Sequence, residues 1–493
     1  MIMEHLPALQ VVLPLLAAPL CFLIPNNRLS GLFATAVSWV VFAIAISLLL
    51  ATRNQGELHY AFGGWAPPWG IEYTVDTLNS YVLLIVSGIA AVVFPYSLTS
   101  IQREIPESQQ RLFFTSMMLC LAGLLGMTIT GDAFNLFVLL EISSLSSYTL
   151  ISLGRDRRAL TASFQYLIMG TIGATFILIG VGLLYALTGT LNMADLAVRI
   201  TSIGESRTLQ AAFTFLLVGF GLKLAMFPLH LWLPNAYAYA PSAVSAFLGA
   251  TATKVAIYAL LRFLFTIFGV KFSFDAMQVH WLLMPLAVIA ILFASMVAVF
   301  QDGIKKVLAY SSVAQIGYML LGISLFSVTG LTATLLHLFN HALMKGGLFL
   351  TLGAIAYSIG STRIENVKGL GKSMPLTMAA FVVGALSLIG VPLTVGFISK
   401  WYLILASLEK GYWPLTIIIL ISSLIAVVYI WRIIEKAYFQ PRPEGLPAVN
   451  EAPLSLLIPT WLLIAANIYF GVQTQLSTEL ATTAATLLMG GSN

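Results

Sequence analysis

Four lysines and one glutamate lie where a membrane-embedded chain can least easily keep a charge. Lys223 sits in GFGLKLAMF, Lys254 in GATATKVAIYAL, Lys345 in HLFNHALMKGGLFL and Lys400 in GVPLTVGFISK, and Glu141 stands midway along FNLFVLLEISSLSSYTL. A Lys or Asp at the bilayer centre costs about 2.5–3.5 kcal/mol on insertion scales, so the five together represent on the order of 10 kcal/mol before pairing is credited. A chain with no use for them would carry leucine. A lysine whose carboxylate partner can approach or withdraw is able to hold or release a proton. That chemistry is the expectation for Glu141 and Lys223. Ser143, Ser144, Ser146, Ser147 and Tyr148 follow Glu141 and offer hydroxyls to hold water beside it. The bland alternatives are a structural Glu–Lys staple for that pair and, for Lys345 and Lys400, snorkelling from a helix end.

His337, His341 and Lys345 recur at i, i+4 and i+8, so on a helix they span about 80° of arc and form one polar stripe. Two histidines at this spacing also suit a zinc pair, but a third ligand of suitable type is missing nearby, which favours a proton relay over a metal. A plain interhelical hydrogen bond remains the modest reading of His337. No metal and no cofactor is expected.

The elements that must carry these residues follow from composition. The chain has 493 residues, 24 Lys+Arg, 19 Asp+Glu, and 59% hydrophobic residues. Charged residues are 9%, against about 25% in a soluble domain. A water-soluble enzyme, a disordered scaffold and a nucleic-acid binder are excluded, and the net charge of +5 forms no basic stripe. Cys21 and Cys120 lie in apolar runs and build no disulfide framework.

A spanning helix needs about 20 apolar residues. Fourteen stretches qualify: 6–24, 31–51, 76–98, 111–130, 132–153, 161–188, 208–237, 242–268, 281–301, 305–327, 331–358, 375–408, 413–438 and 454–472. Their length and uniform apolarity exclude barrel strands. The first run, preceded by Glu4 and His5, reads as a retained span rather than a cleaved signal.

Fourteen spans put both termini on one side. Loops on the other side hold fourteen Lys/Arg and the terminal side six, the remaining four being the lysines within spans. That imbalance places both termini outside a bacterial plasma membrane. Three spans look broken: the seventh around Pro228 and Pro234, the eleventh at Gly346-Gly347 and the twelfth at Pro392 and Gly396. Breaks beside charges mark ion sites in transporters.

Spans four to eight (111–268) and nine to thirteen (281–438) are of similar length, each with a broken helix fourth in its set of five. Parity then makes them two inverted five-helix repeats, after three N-terminal helices (1–110) and before a final helix and tail (439–493). No phosphate loop, nucleotide site or iron–sulfur ligand set is present in the sequence, so redox or ATP chemistry would belong to another subunit. A secondary-transporter subunit rather than an enzyme is expected.

Several segments carry a family likeness: GGWAPPWGIEYTVDTLN, Glu141 in its span, KLAMFPLHLWLPNAYAYAPSAVSAFLGATATK, DGIKKVLAYSSVAQIGYM, HLFNHALMKGGLFL and PLTVGFISKW. From about residue 63 to 440 the chain resembles the antiporter-like membrane subunits shared by respiratory complex I, membrane-bound hydrogenases and Mrp-type Na⁺/H⁺ antiporters. The resemblance implies fourteen helices with two inverted repeats, Glu141 as the charge partner of Lys223, Lys254 passing protons to the centre, His337 and His341 linking the halves, and Lys400 gating the far half. It also implies partner membrane subunits along both flanks, with H⁺ and Na⁺ or K⁺ as the ions moved. Lys400 stands where the complex I subunit of matching size usually carries Glu, and GGWAPPWGIEY with the short tail looks most like the D-type subunits of Mrp antiporters. Na⁺/H⁺ antiport is therefore the implied function. Two other readings stand beside it: a proton-pumping module of a redox complex (NADH dehydrogenase or hydrogenase), and a structural spacer with vestigial charges.

Overall fold

The computed structural model describes residues 3–443 and 449–490. Helices dominate: α1 (Leu6–Leu23), α2 (Asn27–Gln55), α3 (Thr77–Glu104), α4 (Gln110–Ile129), α5 (Ala133–Ser152), α6 (Arg158–Thr188), α7 (Met193–Ile203), α8 (Arg207–Lys223), α9 (Trp232–Tyr239) and α10 (Ser242–Leu261) form the first part. The second contains α11 (Val279–Val299), α12 (Ile304–Ser324), α13 (Val328–Ile359), the single turn α14 (Leu370–Ser373), α15 (Pro375–Ile389), α16 (Val395–Glu409), α17 (Trp413–Phe439), α18 (Leu454–Val472) and α19 (Gln475–Leu488). Between α2 and α3 a short antiparallel hairpin pairs β1 (Leu58–Ala61) with β2 (Glu72–Val75).

Among the described residues, twelve helices are long and apolar enough to cross a membrane. The protein is an all-α multi-pass membrane protein, its small hairpin aside. Two further apolar runs are each divided: 208–237 into α8 and α9, and 375–408 into α15 and α16. The expected fourteen is reached only by counting each divided pair as one broken span. Both interruptions hold a non-glycine residue in the left-handed region, Ala225 (φ 59°) and Leu393 (φ 71°), beside Pro228 and Pro392. Such backbone persists where surrounding packing over-determines it.

The eleventh span is not broken. α13 runs without interruption through Gly346-Gly347. A Cβ on Gly346 would come to 2.8 Å from Leu463 Cδ1 and one on Gly347 to 2.7 Å from Ile464 Cδ1. The two glycines let α18 lie close against α13, the use of small residues typical of membrane helix pairs.

Polar residues at helix starts explain where the elements begin. Asn26, Asp132, Asn192, Ser206 and Ser327 each accept from a backbone N–H of the first turn, and Asp76 forms a reciprocal capping box with Asn79. Burial sorts the helices: α12 and the α10 segment are 94% buried along their apolar windows, α17 only 33%. The lysine-bearing α10 and α13 pack against each other, flanked by α3, α12 and α16. The final α19 lies against α13 and α3 and is tied to the end of α2 by an Arg53–Glu479 ion pair.

Candidate functional site

Lys223 is the last residue of α8, where the helix gives way to the segment containing Pro228. Its ammonium lies 3.3 Å from Glu141 Oε1 on α5 and donates to Ser144 Oγ at 2.8 Å. The lysine side chain is 5% exposed and the glutamate 25%, so the amine faces the interior while the carboxylate reaches toward the periphery. The break is held by Trp232, whose indole N–H donates to Leu222 O at 3.0 Å and whose ring stacks on Tyr166 at 3.9 Å. The hydroxyls behind Glu141 do not all serve the pair. Ser143, Ser146 and Ser147 donate to carbonyls of their own helix, as serines in apolar helices do, and Ser144 is the one that meets Lys223.

At the centre, Lys254 and Lys345 are fully buried. Lys254 donates to Gly249 O of its own helix, and Lys345 to Leu308 O at 2.7 Å and Ser311 Oγ at 2.5 Å on α12. Carbonyls and a hydroxyl hold these amines, and no carboxylate pairs with either among the described residues. Snorkelling does not describe Lys345, nor Lys400, which is 5% exposed. Lys345 and His341 stand one turn apart on α13, the helix that packs against the α10 carrying Lys254.

From His341 the series continues toward the second break. Its ring, whose two nitrogens have no hydrogen-bond partner among the described residues, lies parallel to that of His337 at 5.9 Å. His337 Nδ1 is 2.8 Å from Ser399 Oγ, and its ring meets the Tyr318 ring edge-on at 5.6 Å. Lys400 sits over that tyrosine at 5.1 Å. Its ammonium donates to Ile389 O at 2.8 Å, Leu388 O at 3.3 Å and Ser423 Oγ at 2.9 Å. The carbonyls are those left free where α15 ends, the negative end of a helix dipole.

The structure therefore gathers Lys254, His337, His341, Lys345 and Lys400 into one buried series, and sets Glu141 with Lys223 as a pair on the flank of α10. No hydrogen bond among the described residues joins Lys223 to Lys254. Pro228 and Pro392 lie in the two interruptions. In the sequence, Ser311, Ser399, Ser423 and Tyr318 carry no mark beyond a hydroxyl within an apolar run; in the structure Ser311 and Ser423 meet Lys345 and Lys400, and Ser399 meets His337. Among the described residues, no three His, Cys, Asp or Glu gather as metal ligands.

Comparison with known proteins shows which family this fold belongs to. Residues 130–426 match the family model described as NADH:quinone oxidoreductase/Mrp antiporter, TM. The NADH-quinone oxidoreductase subunit N (an N-type chain) of Desulforudis audaxviator is 43% identical over 95% of this chain and 96% of that protein. The D-type chain of the Na⁺/H⁺ antiporter of Bacillus subtilis is 31% identical over 96% and 95%. A chain in the Mrp complex of Dietzia sp. superposes with a TM-score of 0.90 at 28% identity, covering 99% of this chain and 98% of that one. A chain in an archaeal membrane-bound sulfane sulfur reductase gives 0.89 at 30%, with 98% of each covered. The likeness to D-type antiporter chains thus stands beside a higher identity to an N-type oxidoreductase chain. The chain belongs to this antiporter-like family of membrane subunits.

Proposed function

We propose that this chain, as a member of that family, moves protons across the membrane as one subunit of a larger membrane assembly. The observation that carries this reading is the 3.3 Å Lys223–Glu141 contact at a helix interruption. On the far side of α10 the buried amines and imidazoles lead on to Lys400 at the second interruption. Residues 111–268 and 281–438 act as two inverted half-paths, joined at the α10–α13 contact. Glu141 exchanges protons with the periphery, and Lys223, Lys254, His341, Lys345 and His337 pass charge along the long axis. Lys400 releases it through the second break. The Lys/Arg excess opposite the terminal face supports a cytoplasmic setting for that opposite face.

Partner subunits supply the drive. The 43% identity to an N-type oxidoreductase chain, against 31% to a D-type antiporter chain, favours a redox-driven assembly. The second reading is a Na⁺/H⁺ antiporter of the Mrp type, favoured by Lys400 and by the fit to the Mrp complex. In everted vesicles holding the assembled complex, a ΔpH formed on adding the respiratory reductant, and lost when this chain is deleted, identifies the first. ΔpH collapse on adding NaCl identifies the second. In both, Lys223→Leu is expected to abolish proton movement with assembly intact. Full activity in that variant, with a gain in stability, would leave only the spacer reading.

A further inference from the structure

A proton path through Lys254 has to be closed at one place where the structure leaves polar groups in a row. Lys254 and Tyr258 on α10 and Arg262, which continues the helical backbone directly after it, recur every fourth residue and share one face, so Arg262 lies about 12 Å beyond Lys254 toward the face where α3 begins. Exposure rises along this row: Lys254 is at 0%, Tyr258 at 2%, and the side chains of Arg262 and Asp76 at 13% and 22%. A relay placed here would drain Lys254 directly to the terminal face.

The hydrogen bonds run the wrong way for that. Arg262 Nε donates to Tyr258 Oη at 3.0 Å, and Tyr258 donates in turn to Thr128 O at 2.7 Å. The phenolic proton is committed to a backbone carbonyl, which passes nothing on. The next group outward, a guanidinium, is donor-only and permanently charged. Its Nη2 lies 2.6 Å from each carboxylate oxygen of Asp76, and Asp76 also caps α3 by accepting from Asn79 N at 2.9 Å. Arg262 is also the first residue of a π-helical turn, Arg262–Ile267. Such turns often serve function rather than packing.

We propose that Asp76 and Arg262, with Tyr258, form an electrostatic seal at the terminal end of α10 that denies a proton on Lys254 a direct exit. The proton's remaining course is across to Lys345 and the second half. A fixed arginine excluding protons from a membrane passage is a known physical device; here Asp76 holds the arginine in place. The inference rests on reading Lys254 as a proton carrier.

The test uses the assembled complex in vesicles, without turnover, under an imposed potassium diffusion potential. Asp76→Asn keeps a good helix cap while removing the ion pair, and Arg262→Gln removes the fixed charge. Each is expected to raise passive proton conductance several-fold, and adding Lys254→Leu to either should suppress that leak. An assembled Asp76→Asn variant with wild-type leak overturns the seal, as does a leak that survives Lys254→Leu. Should Arg262→Gln fail to assemble, Asp76→Asn alone decides. Lys254→Leu by itself separates the two claims. If it leaves driven translocation intact, the proton-path reading fails. If it abolishes translocation while Asp76→Asn stays tight, only the seal fails.

Discussion

The ammonium of Lys400 lies 2.8 Å from the carbonyl oxygen of Ile389, the last residue of α15. One charged side chain thus occupies the polar gap that a helix end opens inside the membrane. Where α8 ends the device is different: Lys223 is itself the terminal residue and turns to Glu141 on α5. Lys223 ends the helix before its break and Lys400 lies in the helix after its own; each bonds a serine, but the first adds a carboxylate and the second adds backbone carbonyls.

Lys400→Glu should fail more severely than Lys400→Leu. Leucine leaves the Leu388 and Ile389 carbonyls without their side-chain donor, at about 1–3 kcal/mol. Glutamate adds a negative charge against those same oxygens. Thermal unfolding of the purified assembly is expected to rank wild type above Leu above Glu. Equal melting temperatures for the two variants would show that the carbonyl cage does not exist.

Glu141→Gln keeps size and hydrogen-bonding capacity while deleting the charge. Because Glu141 is partly exposed, the destabilisation should fall below the about 3–5 kcal/mol of a fully buried broken pair. Proton flux, by contrast, should drop at least tenfold. A variant that loses stability and flux in proportion would make the pair a structural staple.

His341→Leu separates relay from scaffold. Neither ring nitrogen of His341 has a hydrogen-bond partner among the described residues, so an apolar replacement forfeits no hydrogen bond seen there and should leave the melting temperature unchanged or higher. Driven proton movement should still fall sharply. His337→Leu should cost stability as well, because its bond to Ser399 is lost. Wild-type flux in His341→Leu removes this residue from the path.

Glycines separate close packing along a continuous helix from packing at a broken one. At Gly347 an added methyl meets the flexible end of Ile464, so Gly347→Ala should cost about 1–3 kcal/mol and leave transport measurable. At Gly396 the same methyl runs into the Ser387 carbonyl, which cannot yield without moving α15. Gly396→Ala should prevent assembly or abolish flux. Comparable expression and activity for both variants would contradict the packing described around the second break.

The lysines were legible in the sequence because an apolar run makes any charge within it conspicuous. The division of 375–408 and 208–237 was equally legible, since proline and glycine stood beside those charges. Gly346-Gly347 misled, because a glycine pair that lets two helices touch looks the same in one dimension as a pair that ends a helix. The carbonyl partners of Lys254, Lys345 and Lys400 could not be read at all: backbone oxygens carry no sequence signature, and hydropathy does not say which face of α12 turns Ser311 to Lys345. Nor does distance along the chain hint that Asp76 and Arg262 meet. The short hairpin β1–β2 and the helix α19 fell in segments whose hydropathy marks them only as connections.

The most direct measurement is driven ΔpH formation in vesicles by assemblies carrying Lys254→Leu or Lys345→Leu, with assembly checked on the same membranes. Buried amines that relay protons require both variants to assemble and both to lose translocation by at least tenfold. Assembled variants that build the wild-type gradient would show that protons cross this protein elsewhere, or not at all.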